Sequence, residues 1–497
     1  MRSGHDIKRK RKLFEQGIAA VREDIAADRL ESALRHMEKM RKKNLFPEGN
    51  DYNYHLIMGQ ILYWLSDLEE ALPHFRASWE LPSENKSERL AMFSDYLLYL
   101  HYAAHVSNAQ VKEAHEAYAV LLGEVPQFTH QKKKRDKLHI GYLTPNFTDH
   151  IVLNFSIQLF AGYDRSRFKV TIYDIGGERS EVTAWAAGLT DAYRDLAGAS
   201  ALDAAKQIYA DDVDILFDLA GHSAGGRTLQ IAAFKPAPVQ ICGIGYFDTT
   251  GLSAMDYFLG DPICDPPDID TLFVERILRL PHTHLCFTPS ERFRSYEHLK
   301  RTAHTPVVFG SFNNFAKITD EMLSLWGQIL QRVPGARLIL KNVHPKQEAL
   351  ARMHKRAERA GIDPARLELR PGAKDYLKDY MDVDVILDTY PYQGGGTTCE
   401  ALFMGLPVVT LCGTRHGARF GASLLHNVGI GELVAHTPEE YVERAVLLAM
   451  DPELLSALHA ALQGMMKSSP LMDGTGYIRS MEEAYQTIWE RYSDEEE

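Results

Sequence analysis

The sequence predicts two doubly wound α/β domains behind an all-helical domain. Three observations carry this. Up to about residue 124 apolar residues recur at three and four, with few prolines. From Leu138 onward short β-type runs alternate with helical stretches, the pattern of parallel sheets covered on both faces. That alternation occurs twice, split by a loop-rich stretch over 261–305.

In the helical part, Leu56, Ile57, Ile61, Trp64, Leu68, Ala71, Leu72 and Phe75 lie on helical spacing. A weak repeat runs through it. Asp28-Arg-Leu-Glu-Ser-Ala-Leu-Arg-His recurs as Asp67-Leu-Glu-Glu-Ala-Leu-Pro-His, and more loosely as Gln110-Val-Lys-Glu-Ala-His-Glu-Ala-Tyr118. Copies roughly forty residues apart fit helical hairpins of tetratricopeptide type, which bury their apolar stripe only by stacking; an irregular bundle fits too. The hydrophilic run Thr129–Lys137 reads as a solvated linker. The first α/β series has strand candidates at 138–143, 168–173, 213–218, 239–244 and 257–259, with helices near 152–161, 181–191 and 201–210. In the second the strands are 307–312, 337–340, 367–369, 383–388, 408–411 and 433–435, with helices near 319–332, 345–360, 397–404 and 416–427. A last amphipathic helix, about 477–492, precedes an acidic end. The domains expected are 1–128, all α; 129–137, linker; 138–300 and 301–470, two lobes; and 471–497, the terminal helix and tail.

The chain has 497 residues, enough for roughly three domains. Its net charge of -12 argues against a dedicated nucleic-acid binder, although residues 1–44 carry a basic excess. The five cysteines form no Cys-x-x-Cys pair, so no zinc site is expected and a reducing, cytoplasmic setting is. The N-terminus lacks the apolar run of a secretory signal, and no apolar stretch is long enough to span a membrane.

Doubly wound sheets bind ligands at the carboxyl ends of their strands. Four segments there carry candidate chemistry. In Asp388-Thr-Tyr-Pro-Tyr-Gln-Gly-Gly-Gly-Thr-Thr-Cys-Glu400, a strand, a glycine loop and a helix start form an anion site. Gly395 and Gly396 allow close approach, Thr397 or Thr398 can cap the helix, and Glu400 can accept from ribose hydroxyls. The plain alternative is a glycine turn with a favourable first-turn glutamate. Next, Ser311-Phe-Asn-Asn-Phe-Ala-Lys317 puts Lys317 at a strand end of the same sheet, where it can offset a leaving diphosphate, and Asn314 beside it. In the first series, Thr144-Pro-Asn-Phe-Thr-Asp-His150 offers His150 as acid, base or sugar donor. Asp218-Leu-Ala-Gly-His-Ser-Ala-Gly-Gly-Arg227 offers Asp218, His222 and Arg227. Three Asp-x-Asp triplets, at 212/214, 268/270 and 382/384, read as incidental, so no metal is assigned.

These blocks, together with Lys235-Pro-Ala-Pro-Val-Gln240, Thr249-Thr-Gly-Leu-Ser-Ala-Met-Asp-Tyr257 and Arg419-Phe-Gly-Ala-Ser423, resemble the bacterial branch of the O-linked N-acetylglucosamine transferase family over residues 92 to 490. The resemblance implies a GT-B architecture. It implies inverting, metal-independent transfer from a UDP-sugar, N-acetylglucosamine first, to protein Ser/Thr hydroxyls, with the acceptor docked partly by the helical domain. Lys317 then matches the diphosphate lysine, Glu400 the ribose carboxylate, Thr397 a phosphate-loop threonine, His150 the active-site histidine, and Asp218 and His222 a second polar site. Tyr376 stands where a histidine usually faces the uracil. Phe247-Asp248 replaces a Pro-Gly pair, and Gly395 a histidine of animal members. A UDP-glucose- or hexose-dependent protein transferase, a UDP-sugar epimerase and a decayed scaffold are the competing readings. The resemblance leaves the general base open among His150, Asp218 through a water, and a donor phosphate oxygen.

Overall fold

The computed structural model describes residues 4–47, 49–82 and 85–494. Six helices come first: α1 (Gly4–Ala26), α2 (Leu30–Lys42), α3 (Asp51–Trp64), α4 (Leu68–Glu80), α5 (Lys86–Leu100) and α6 (Asn108–Leu122). The repeat seen in the sequence marks the second helix of each pair, α2, α4 and α6. Asp67 caps α4 through the Glu70 N–H, and Ser107 with Gln110 forms a capping box on α6. The hairpins differ in how they are buried. Val21, Leu30, Ala33, Met37 and Ile61 make a cluster within the first pairs. Leu90, Phe93, Leu97 and Tyr118 instead share one core with Leu229, Tyr246 and Phe258 of the following domain.

The first α/β lobe has β1 (Leu138–Thr144), α7 (Ile151–Ala161), β2 (Phe168–Asp174), α8 (Glu181–Ala187), β3 (Ala192–Asp195), α9 (Ala201–Ala210), β4 (Ile215–Asp218), α10 (Arg227–Ala232), β5 (Val239–Cys242), β6 (Tyr257–Gly260) and β7 (Arg276–Arg279). Its all-parallel sheet runs β3-β2-β1-β4-β5-β6-β7. The second lobe has β8 (Val308–Ser311), α11 (Asp320–Arg332), β9 (Arg337–Lys341), α12 (Gln347–Arg359), β10 (Leu367–Arg370), β11 (Val385–Leu387), α13 (Gly396–Phe403), β12 (Val408–Leu411), α14 (Phe420–Val428), β13 (Val434–Ala435), α15 (Pro438–Met450), α16 (Pro452–Lys467) and α17 (Gly474–Asp494). Its sheet, also parallel, runs β10-β9-β8-β11-β12-β13. The order reverses between β1 and β4 and between β8 and β11, and ligands bind at such switch points.

The fold departs from the sequence expectations in several places. The stretch 261–305 contains β7, a short edge strand. β3, α10, α15 and α16 are additional elements, although Thr437-Pro438 and Asp451-Pro452 are N-cap and first-turn proline signals. Residues 129–137 are fastened to the first lobe: Lys133 pairs with Asp212 at 2.9 Å and Arg135 with Asp214 at 2.6 Å. Those two pairs account for the first Asp-x-Asp triplet. Asp270 is held by Arg279, and Asp382 by Arg370 at 2.7 Å. The end helix α17 turns back onto the first lobe, where Met481, Tyr485 and Ile488 join the core around Ile140 and Tyr142. The acidic end beyond Asp494, and Met1-Arg-Ser3 of the basic start, lie outside the described residues. Among the described residues no single helix is long and apolar enough to cross a membrane.

Candidate active site

Between the lobes lies a cavity of about 480 Å³, at the switch point of the second lobe and faced by the first. From the second lobe Lys317, Tyr376, Gly395, Gly396, Thr397 and Glu400 line it; from the first, His150, Ile244 and Phe247.

The anion end is the start of α13. Asp388, at the end of β11, accepts from the N–H groups of Thr389 and Gly394, both at 2.9 Å, and from the Thr410 hydroxyl at 2.8 Å. These bonds fold the glycine loop back over the strand end. Burial pushes the Asp388 carboxyl up to about 6. A Cβ on Gly394 would sit 2.3 Å from Thr397 Oγ1, and one on Gly396 2.5 Å from Ile151 of the opposite lobe, so both positions need glycine. Gly395 is less confined: a Cβ there would come no closer than 3.8 Å to Phe420. Among the described residues no side chain caps α13, so its first N–H groups and its dipole are available to an anion.

Lys317 closes a short turn after β8. Its ammonium lies over the Tyr392 ring at 4.4 Å and 5.9 Å from the Tyr102 ring of the helical domain. Burial lowers its pKa to about 8, opposed by Asp388. A partly desolvated lysine with no carboxylate bound to it is suited to neutralise a diphosphate. Glu400, one turn into α13, accepts from Tyr376 and from Tyr380 at 3.1 Å, and burial raises it to about 7. The Arg292 guanidinium sits 6.0 Å above the Tyr376 ring.

His150 caps α7: its Nδ1 accepts from the Val152 N–H at 3.2 Å. The neutral ring therefore carries its proton on Nε2. Desolvation lowers its pKa, and the positive end of α7 disfavours a cation as well. His150 thus offers the cavity a hydrogen-bond donor.

Four expected site residues do not line the cavity. Asp218 is fully buried and satisfied by the Ala220 and Gly221 N–H groups at 2.8 and 3.1 Å and by Thr228 at 2.9 Å. His222 is fully buried between Ser94 of α5, at 3.0 Å, and the Thr250 carbonyl, at 2.9 Å. Asp218 is thus satisfied within its own lobe, and His222 is covered by α5 of the helical domain. Asn314 uses Nδ2 on the Tyr63 hydroxyl of α3 at 2.5 Å and Oδ1 on the Ala316 N–H, so it ties the helical domain to the Lys317 turn. Thr398 points inward beneath Gly394. Arg227, also noted, spends its guanidinium on the carbonyls of Ile175, Leu196 and Ala199.

Other residues were missed. Lys341 and Asn342 end β9 at the cavity, where the strand-end rule would have found them; Lys341 pairs with Asp379 at 2.7 Å. Tyr392 lay in the quoted glycine-loop segment without being singled out, and Arg292 carried no signal, since each meets its cation or ring only in the folded chain.

The glycosyl transferase family 41 pattern matches residues 108–305 and 301–481. This chain belongs to glycosyl transferase family 41. A tomato (Solanum lycopersicum) family 41 relative, the probable UDP-N-acetylglucosamine–peptide N-acetylglucosaminyltransferase SPINDLY, is 37% identical over 412 residues, which is 80% of this chain and 44% of the relative. A UDP-N-acetylglucosamine–peptide N-acetylglucosaminyltransferase of Caenorhabditis elegans is 23% identical, over 76% of this chain and 43% of its own. The chain thus spans less than half the length of these curated relatives. Among solved structures, a mutant O-GlcNAc transferase from Thermobaculum terrenum superposes with a TM-score of 0.84 and 29% identity, covering 99% of both chains. The family 41 architecture expected from the resemblance, two GT-B lobes behind a helical domain, is the one observed.

Proposed function

We propose that the chain transfers a sugar, N-acetylglucosamine, from a UDP-sugar to Ser/Thr hydroxyls of proteins, with inversion and without a metal in the transfer step. One observation carries this: an uncapped helix start, a lysine without a carboxylate partner and a carboxylate one turn away share one cavity with a histidine donor of the facing lobe. The names of the relatives, UDP-N-acetylglucosamine–peptide N-acetylglucosaminyltransferases, support the reading.

In this reading the diphosphate lies on the α13 N–H groups and Lys317, and the ribose hydroxyls donate to Glu400. The acceptor oxygen bonds to the anomeric carbon as the bond to UDP breaks. The developing charge falls on the β-phosphate, where α13 and Lys317 stabilise it. The hydroxyl proton passes to a donor phosphate oxygen. The occupied Nδ1 of His150 and the burial of Asp218 favour that route over the two side chains. His150 orients the phosphate or sugar through Nε2–H.

The acceptor polypeptide would reach the cavity along the helical domain. A groove of about 500 Å³ there, lined by Arg76, Trp79, Tyr96 and Glu113, offers rings and both charges to an extended peptide.

The test is intact-mass analysis of acceptor proteins from the source lysate after incubation with the chain and UDP-N-acetylglucosamine or UDP-glucose. The proposal expects adducts of one N-acetylhexosamine and none with Lys317→Ala. Hexose adducts would move the assignment to the glucose reading; free UDP without adducts would move it to hydrolysis or epimerisation.

A further inference from the structure

A second cluster of reactive side chains lies outside the transfer chemistry. Cys264, in the loop after β6, His284, after β7, and His416, after β12, are 0%, 2% and 1% exposed. Each brings one ligand atom within 4.8 Å of the others. They come from both lobes: Cys264 and His284 from the first, His416 from the second.

The surroundings are those of a ligand set. His284 Nδ1 is bonded to Asp261 at 2.6 Å, and His416 Nδ1 to Asp265 at 2.7 Å. Each ring therefore offers Nε2, and among the described residues no hydrogen bond uses either Nε2. A carboxylate behind the far nitrogen of each ring fixes the tautomer and the ring's orientation, the usual support of a metal-bound histidine. The carboxylates are held in turn: Asp261 accepts from Ser423 at 2.8 Å and the Cys264 N–H at 2.7 Å, while Asp265 accepts the Asp261 N–H at 3.1 Å. The rings lie 4.7 Å apart, centroid to centroid. The Cys264 thiol donates to the His416 carbonyl at 3.4 Å.

We infer that Cys264, His284 and His416 form a zinc-type metal site that clamps the two lobes behind the cavity. One thiolate and two imidazoles suit a borderline divalent ion, and hard oxygen-seeking cations are disfavoured. Tetrahedral zinc sets such atoms about 3.3–3.6 Å apart, inside the 4.8 Å within which the three lie, so binding draws them closer. The thiol proton leaves to solvent on binding. Phe420 stacks on His284 at 5.8 Å and meets His416 edge-on at 5.2 Å, and it also lines the cavity. The clamp would thus fix one wall of the cavity and take no part in the displacement. The inference stands apart from the transfer reading.

The experiment is a cobalt(II) titration of the full chain after chelator treatment, read by absorption. One cobalt per chain is expected, with the visible bands of a tetrahedral ion and a thiolate-to-cobalt charge-transfer band. Cys264→Ser should lose that band, while Cys412→Ser, at a cysteine outside the cluster, should keep it. Asp265→Asn should weaken binding by about 10–100-fold, the usual loss of a supporting carboxylate. Should Cys264→Ser not fold, the wild-type spectrum and Asp265→Asn decide. A six-coordinate spectrum, no stoichiometric binding, or a charge-transfer band that survives Cys264→Ser overturns the inference.

Discussion

Two segments of this chain follow one pattern, a strand, a glycine turn and a helix: β4 into α10 and β11 into α13. They ended differently. At the first, a Cβ on Gly226 would strike Ser94 of α5 at 2.1 Å, and His222 is bonded to that same serine. At the second, a Cβ on Gly395 would meet Phe420 no closer than 3.8 Å, and the start of α13 carries no cap. The helical domain fills one switch point and leaves the other for a ligand. A strand-end motif therefore marks where a site can form, and its neighbours decide whether one does.

The largest effect expected from breaking this contrast is at Lys317. Lys317→Ala should lower turnover by about 10²–10³, as loss of one charge-stabilising donor typically does, with an unchanged melting curve. Next in size, His222→Ala should cost about 1–3 kcal/mol in denaturant unfolding, because Ser94 and the Thr250 carbonyl lose their partner, while the KM for donor stays the same.

A pH profile sharpens the comparison further. In the proposed reading Glu400 binds ribose best as the carboxylate, and burial raises it to about 7; Lys317 offsets the diphosphate only when protonated, and burial lowers it to about 8. Because kcat/KM reports the free enzyme, it should fall below about 7 and again above about 8, a narrow bell. Glu400→Gln should remove the acid limb, and Lys317→Arg should move the alkaline limb upward. A flat profile between about pH 6 and 9 would contradict both roles. Smallest is His150→Asn, whose amide can both cap α7 and donate. Steady-state rates should drop less than about tenfold, with neither limb moved, as the proposed transfer of the proton to a donor phosphate oxygen requires.

Much of the cavity's second-lobe wall was legible in the sequence. Lys317, Thr397 and Glu400 sit next to strand ends whose apolar runs are unmistakable, so their position followed from the fold class. Asp218 and His222 satisfied the same rule and misled, because nothing local records that α5 packs on residues more than a hundred positions away. The same distance hid the Cys264, His284 and His416 cluster, which no Cys-x-x-Cys spacing announces. β3 and β7 were missed because short, partly exposed edge strands lack a buried apolar run. Residues 129–137 are mostly exposed, as expected, but the pairs of Lys133 and Arg135 with Asp212 and Asp214 were not legible because they form only once the lobe is folded.

The most direct test is the rise in melting temperature on adding UDP, measured side by side for the wild-type chain, Lys317→Ala and His222→Ala. UDP should stabilise the wild type and His222→Ala by the same increment, and Lys317→Ala by little or nothing. An increment kept in Lys317→Ala and lost in His222→Ala would place the ligand at the other switch point and contradict the account.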